Sequence, residues 1–192
     1  MAKAKSGSKP SARPAGGGAG GGARTKAQVG VIMGSDTDLP VMSETINTLK
    51  DFEIPFEVEV TSAHRSPART HEYATTAAER GLKVIIVGAG GASHLAGVIA
   101  AETTLPVIAV PVVTTPLAGL DALYSTVQMP AGIPVGVMAV DKPGARNAAI
   151  FAAQIIALSD SRLAERLRQH KQELARSVAE KSARIKQQFE SS

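Results

Sequence analysis

From residue 28 onward, short runs of apolar, mostly β-branched residues alternate with longer stretches of helical spacing, and this constrains the fold more than any other feature. The runs at 29–33, 56–60, 84–87, 107–110 and 135–140 are mostly continuous, as expected of strands buried on both faces. Helical segments lie between and after them, near 36–50, 67–80, 92–103, about 119–127 and 144–158. Ser66-Pro67 places a capping hydroxyl ahead of a proline at the first helical position, and Gly81 after Arg80 is a helix stop. Five parallel strands joined by helices specify a three-layer α/β domain with right-handed crossovers, a doubly wound sheet of flavodoxin-like or Rossmann-like order. The pattern carries no strand order.

Both ends of the chain differ from this body. Residues 1–27 hold six bases, no acid and seven of the 18 glycines, with almost nothing large to bury, which predicts a disordered basic tail. The tail lacks the apolar stretch of a secretory signal. It also accounts for the net charge of +4: residues 28–192 carry 15 bases against 17 acids, so the folded part is mildly acidic. After Ser159, Leu163, Leu167, Leu174, Val178 and Ile185 recur near three- and four-residue spacings within a strongly charged segment. This is a long amphipathic helix. Because the α/β domain of 28–158 is already complete, the expectation for 159–192 is an arm whose stripe packs on another subunit.

Composition excludes several chemistries. Without cysteine there is no disulfide, thiolate metal site or thiol nucleophile, and the four histidines leave little for a zinc centre. Aromatic residues make up 3% of the chain, too few for a base-stacking nucleic-acid surface. No apolar run approaches the roughly 20 residues of a membrane helix. The expectation is a cytoplasmic protein that binds neither nucleic acid nor membrane.

In a parallel α/β sheet, ligands sit in the loops leaving the carboxyl ends of the strands. The first such loop, Gly34-Ser35-Asp36-Thr37-Asp38, is a glycine turn running into a helix start, where free N–H groups attract an anion such as phosphate. Asp36 and Asp38 would repel a phosphate they touched; a carboxylate beside one more naturally accepts from a ribose diol. The loop also reads as plain helix capping. The second, Thr61-Ser62-Ala63-His64-Arg65-Ser66-Pro67, sets His64 beside Arg65, a proton shuttle next to an anion clamp. The third, Gly88-Ala89-Gly90-Gly91-Ala92-Ser93-His94-Leu95, is dense in small residues that let backbone approach a flat ligand and line a small pocket. His94 there either donates to ligand as a neutral imidazole or caps the helix. The fourth loop, 111–119, and Gln128-Met129-Pro130 supply further polar and turn residues to the same rim. His71 and His170 read as surface residues.

These loops together resemble the class I 5-(carboxyamino)imidazole ribonucleotide mutase family of purine biosynthesis. The resemblance runs from about Val29 to Leu158 and includes Gly119-Leu120-Asp121-Ala122-Leu123 and Val127-Gln128-Met129-Pro130. Thr37, Ser93 and Ala96 depart from the residues usual in the family. It implies a flavodoxin-like subunit in a homo-octamer, needing no metal or cofactor, that interconverts N-carboxy and C4-carboxy aminoimidazole ribonucleotides. Carried over by motif position, His64 is the general acid and base, Ser35 and Arg65 hold the 5′-phosphate, and Asp38 accepts from the ribose hydroxyls. Ser62, Gly90, Ala92 and His94 complete the expected substrate site.

The residues also admit two readings of other classes. A non-catalytic nucleotide- or phosphate-binding module would use Ser35, Asp38 and Arg65 without needing His64. A nucleic-acid scaffold would rely on the basic tail and terminal helix, and its binding would fall steeply with salt.

Overall fold

The computed structural model describes residues 26–190. Five strands form one parallel sheet: β1 (Val29–Met33), β2 (Phe56–Val60), β3 (Val84–Gly90), β4 (Val107–Val112) and β5 (Gly136–Val137). Their order is β2-β1-β3-β4-β5, the flavodoxin-like alternative. The helices are α1 (Leu39–Asp51), α2 (Pro67–Arg80), α3 (His94–Glu102), α4 (Leu120–Val127), α5 (Asp141–Ala157) and α6 (Ser161–Glu190). The expectation for residues 1–27 falls almost wholly outside the described residues.

Period-two alternation divides the core into two layers. Val29, Val31, Met33, Ile86, Ile108 and Val110 face α1 and α5, where Leu49, Ala148 and Ala152 pack against them. Ile32, Ile85, Val87 and Ala109 face the opposite way onto Ala74 and Ala77 of α2 and Leu95 and Ile99 of α3. Ile86 is fully buried, so truncating it to alanine costs about 2–5 kcal/mol. Two glycines of the sheet make room for side chains: a Cβ on Gly30 would lie 2.4 Å from the Tyr73 hydroxyl, and one on Gly88 would lie 2.3 Å from the Met42 sulfur.

Burial on both faces holds for the central strands but not for the edges. In β2, Glu57 and Glu59 point to α2, where Arg80 and Arg69 pair with them, while Val58 and Val60 are 43% and 42% exposed. The strand expected at 135–140 is only the two residues of β5, half-buried beside β4. As an edge strand it has one neighbour, and after the Met138 amide donates to the Ala109 carbonyl of β4 the chain leaves the sheet to start α5. Three helix starts also shift. Residues 36–38 form a 3-10 turn and α1 begins at Leu39. Left-handed Gly91 and Ser93 delay α3 to His94, and α5 begins earlier than expected, at Asp141.

Helix α6 is continuous over 30 residues. Its apolar stripe repeats every eleven residues: Leu163 and Leu167, then Leu174 and Val178, then Ile185 and Phe189. That period, about 3.67 residues per turn, drifts by only roughly 20° per repeat, so the six side chains share one face of the helix. Leu163 is buried and Leu167 half-buried against the core cluster of α1 and α5. Leu174, Val178, Ile185 and Phe189 continue the line past the domain and are 50%, 66%, 52% and 76% exposed. His170, expected at the surface, is instead half-buried edge-on against Phe52 at 5.4 Å, with Nε2 buried. It lies near the inner line of the helix, which bends the expectation from charge pattern alone. His71 is exposed and pairs with Glu102 at 3.1 Å.

Candidate active site

At the carboxyl end of the sheet, the loops after β1, β2, β3 and β4 enclose a cavity of about 460 Å³. All eight residues singled out from the sequence line it: Ser35, Asp38, Ser62, His64, Arg65, Gly90, Ala92 and His94. An adjoining cavity of about 360 Å³ shares Gly34, Ser35, Ser62 and Arg65. The shared residues stand where the two spaces meet, a hydroxyl- and guanidinium-lined place suited to an anionic end of a ligand.

The first loop is a capping box. The Ser35 amide donates to Asp38 Oδ2 at 3.0 Å, and the Ser35 hydroxyl accepts from the Thr37 amide at 3.3 Å. The capping reading and the ligand reading are therefore both met by the same side chains. Asp38 is 3% exposed, and burial pushes its carboxyl above the ordinary value, against the pull of the Ser35 and Gly34 amides. One carboxylate oxygen is engaged by the Ser35 amide; the group as a whole still borders the cavity.

In the second loop, His64 and Arg65 are exposed to the cavity. The Ser62 hydroxyl accepts from the Arg65 amide at 3.2 Å, which leaves its own proton for a ligand. Ser66 does not cap α2 with its side chain as expected; its hydroxyl turns back into the loop and meets the Ser62 backbone. Proline at the first helical position needs no such cap on its missing N–H.

The third loop brings His94 to His64. Nε2 of His64 lies 2.9 Å from Nδ1 of His94, with the rings at 88° and their centroids 5.0 Å apart. One ring donates and the other accepts, so the two tautomers are linked. His94 is the first residue of α3, and left-handed Ser93 stands at the N-cap position without a side-chain cap bond, its buried hydroxyl donating instead to the Ala89 carbonyl at 3.2 Å. His94 therefore stands inside the helix start and not at its cap, and it lines the cavity.

The glycines of this loop differ in purpose. A Cβ on Gly91, at φ +58°, would meet nothing within 4 Å, so that glycine serves the backbone conformation. A Cβ on Gly90 would lie 2.1 Å from Thr114 Oγ1. Gly90 thus admits Thr114 of the fourth loop, where closeness to a ligand was the expectation. Thr114 lines the cavity and was not singled out from sequence; only its place in a rim loop pointed to it. The adjacent Thr115 holds that loop by donating to Asp121 at 2.7 Å.

A family model described as AIR carboxylase matches residues 28–177. The chain is 50% identical over 162 residues to a Pyrococcus horikoshii protein named N5-carboxyaminoimidazole ribonucleotide mutase, covering 84% of this chain and 90% of that one. It is 49% identical over 160 residues to a Thermotoga maritima protein of the same name, covering 83% and 92%. Among solved structures, Treponema denticola PurE superposes with a TM-score of 0.72 at 27% identity, covering 80% of this chain and 95% of that one. The matched region begins where the sheet begins and ends midway along α6.

Proposed function

The chain belongs to the AIR carboxylase family, and we propose from the site's chemistry how it works as a mutase, interconverting 5-carboxyaminoimidazole ribonucleotide and 4-carboxy-5-aminoimidazole ribonucleotide in purine biosynthesis. The observation that carries the residue roles is the convergence of four strand-end loops on one cavity, with a histidine pair at its wall and Ser35, Ser62 and Arg65 grouped at one side.

Arg65 and Ser35, with the free proton of Ser62, hold the 5′-phosphate through charge-assisted bonds. Asp38, next to them, accepts from the ribose hydroxyls. His64 then reaches the imidazole. It protonates the carbamate nitrogen, the N–C bond breaks, and carbon dioxide is released beside the aminoimidazole. The C4 carbon attacks that carbon dioxide, and His64, now neutral, removes the C4 proton. One proton is given and one is taken back, so the cycle closes on a single imidazole. General acid-base catalysis contributes about 10² to 10⁴ in rate, and retaining the carbon dioxide against the small residues Gly90, Gly91 and Ala92 adds an entropic advantage. His94, hydrogen-bonded to His64, sets which ring nitrogen of His64 carries the proton.

The reading extends to assembly and place. The α/β body of 28–158 is the catalytic domain, and α6 is an arm between subunits of a homo-octamer in the cytoplasm. The exposed apolar side chains on α6 support this, as do Leu120, Tyr124 and Val127, 50%, 62% and 54% exposed on α4. Among the described residues no helix is long and apolar enough to cross a membrane. Truncation after Leu158 is expected to shrink the particle in light scattering; an unchanged assembly count sinks the arm.

The test of the reaction is a spectroscopic assay of carboxyaminoimidazole ribonucleotide turnover without ATP and with a chelator present. Conversion is expected under both conditions. A strict requirement for ATP or metal would overturn the reading.

A further inference from the structure

The loop that carries His64 and Arg65 is fastened by a set of hydroxyls that the proposed chemistry does not use. Thr61 is 3% exposed and Thr70 is fully buried, so both hydroxyls need partners within the protein. They have each other, at 2.9 Å. Thr61 also meets the Ser66 hydroxyl at 3.1 Å, and the Ser66 hydroxyl donates to the Ser62 carbonyl at 3.2 Å. The Ser62 amide donates back to the Ser66 hydroxyl at 3.0 Å, and the Ser66 amide donates to the Ser62 carbonyl at 2.9 Å.

Counting protons orders the set. Each hydroxyl has one to give. With the Ser66 proton on the Ser62 carbonyl, the 3.1 Å contact needs the Thr61 proton, and the 2.9 Å contact then needs the Thr70 proton. The direction is Thr70 to Thr61 to Ser66 to Ser62, and it leaves out only the 3.2 Å approach of Thr70 to the Ser66 carbonyl. A chain of hydroxyls pointing one way polarises each member in turn. It starts inside α2 and ends on the backbone of the residue that opens the loop.

We propose that Ser66 is a positioning residue: through its hydroxyl, the Thr70–Thr61 pair clamps both ends of the 62–66 turn and so fixes His64 against His94 and Arg65 at the anion side of the cavity. This rests on the mutase reading for the role of His64, but the clamp is a property of the loop. Ser66 does not line the cavity that holds His64 and His94; it borders only the adjoining one. Removing its hydroxyl takes away the acceptor for the Ser62 amide and the acceptor for buried Thr61 together. The turn then keeps the Ser66 amide to Ser62 carbonyl bond and the Arg65 amide to Ser62 hydroxyl bond but loses its tie to the Thr70–Thr61 pair, and an error of about 1 Å in a catalytic group costs up to about a hundredfold in rate.

Ser66→Ala is expected to lower kcat about tenfold or more while KM rises by a smaller factor, because Arg65 shifts with the turn but Ser35 holds the anion side from a separate loop. The amides of residues 62–65 should exchange with solvent at least about tenfold faster, with exchange in the central strands unchanged. Ser66→Thr keeps the hydroxyl and should restore both. Hydrogen exchange reads the clamp without turnover, so a wild-type protein inactive as a mutase would overturn the functional reading while the exchange result still decides the clamp. Unchanged exchange at 62–65 in Ser66→Ala, a kcat within about twofold of wild type, or failure of Ser66→Thr to restore the rate would each overturn the proposal. Thr70→Val, which keeps the shape and removes the first proton donor, should shift exchange in the same direction by a smaller factor; no shift there would cut Thr70 out of the clamp and overturn its extended form.

Discussion

The loops after β2 and β3 each deliver a histidine to one wall of the cavity, and they are held in opposite ways. The β2 loop is held by hydroxyls: Thr61, Ser62, Ser66 and Thr70 bond one another and the turn's backbone. The β3 loop is held by backbone conformation and the near absence of side chains. Gly91 and Ser93 are left-handed, Gly90 is filled by Thr114, and one hydroxyl bond from Ser93 to Ala89 secures it. A loop held by side-chain hydrogen bonds tolerates backbone adjustment and is sensitive to losing a hydroxyl. A loop held by glycine tolerates loss of a hydroxyl and is sensitive to gaining a carbon. The histidine proposed to carry the proton sits on the first, and the close-fitting wall on the second.

The comparison breaks first at the histidines. His64→Asn keeps size and a hydrogen bond to His94 but cannot carry a proton near neutral pH, so turnover should fall at least about a hundredfold while product binding stays near normal. His94→Asn keeps a hydrogen-bonding neighbour for His64 and should lose less. Single-turnover kinetics on both variants decide between them, and a slower His94→Asn would move the proton carrier to the β3 loop.

Arg65→Ala is the next largest effect. Losing a charge-assisted bond to phosphate costs about 1.5–3 kcal/mol of binding, seen by calorimetry with product, with kcat for bound substrate less affected. Equal losses in affinity and kcat would mean that Arg65 and His64 act as one unit.

Gly90→Ala sharpens the distinction between the loops. Its Cβ would lie 2.7 Å from Thr114 Cβ as well as 2.1 Å from Oγ1, so rotating the Thr114 side chain does not relieve it. A backbone shift costing about 1–3 kcal/mol of stability is expected, with loss of activity. Gly91→Ala meets open space and should cost about 1–2 kcal/mol, the penalty for a left-handed L-residue. Denaturant melts of the two variants are the measurement, and a neutral Gly90→Ala would remove Thr114 from the wall.

The smallest effect is at Asp38. Burial raises its carboxyl pKa above 3.8, so folding favours the protonated form, and stability is lost as pH rises from that value through the higher folded one. Asp38→Asn keeps an acceptor for the Ser35 amide without the charge. Its Tm should match the wild type near pH 3 and exceed it by about 2 °C or more at pH 7, while ligand binding weakens. A variant less stable than wild type at pH 7 would mean that the ionised carboxylate is worth more to the capping box than its burial costs.

Much of this was legible in the chain. The alternation of apolar runs and helical segments fixed the α/β class, and the four loops were recognisable because turn, capping and anion-binding residues have local signatures: Gly34, Ser35, His64-Arg65 and Gly90-Gly91 each stand next to a strand end. Helix α6 was equally plain, since its spacing is a property of consecutive residues. The two edges of the sheet were not. Val58 and Val60 read as core residues, and 135–140 as a full strand, because burial depends on which strands flank them and strand order leaves no local trace. Ser66 read as a cap, yet its hydroxyl had a better partner in the loop behind it.

What the sequence by itself determined is therefore everything carried by periodicity and by residue type at an element's end. Tertiary structure alone decided which of those ends meet. It set His64 2.9 Å from His94 across 30 residues of chain, lodged Thr114 over Gly90, and divided α6 into a covered third and an open remainder on one unbroken stripe. The physical reason is that periodicity specifies a surface to be buried but not its partner: that choice is made when the strands pair and the crossover helices settle on the two faces of the sheet.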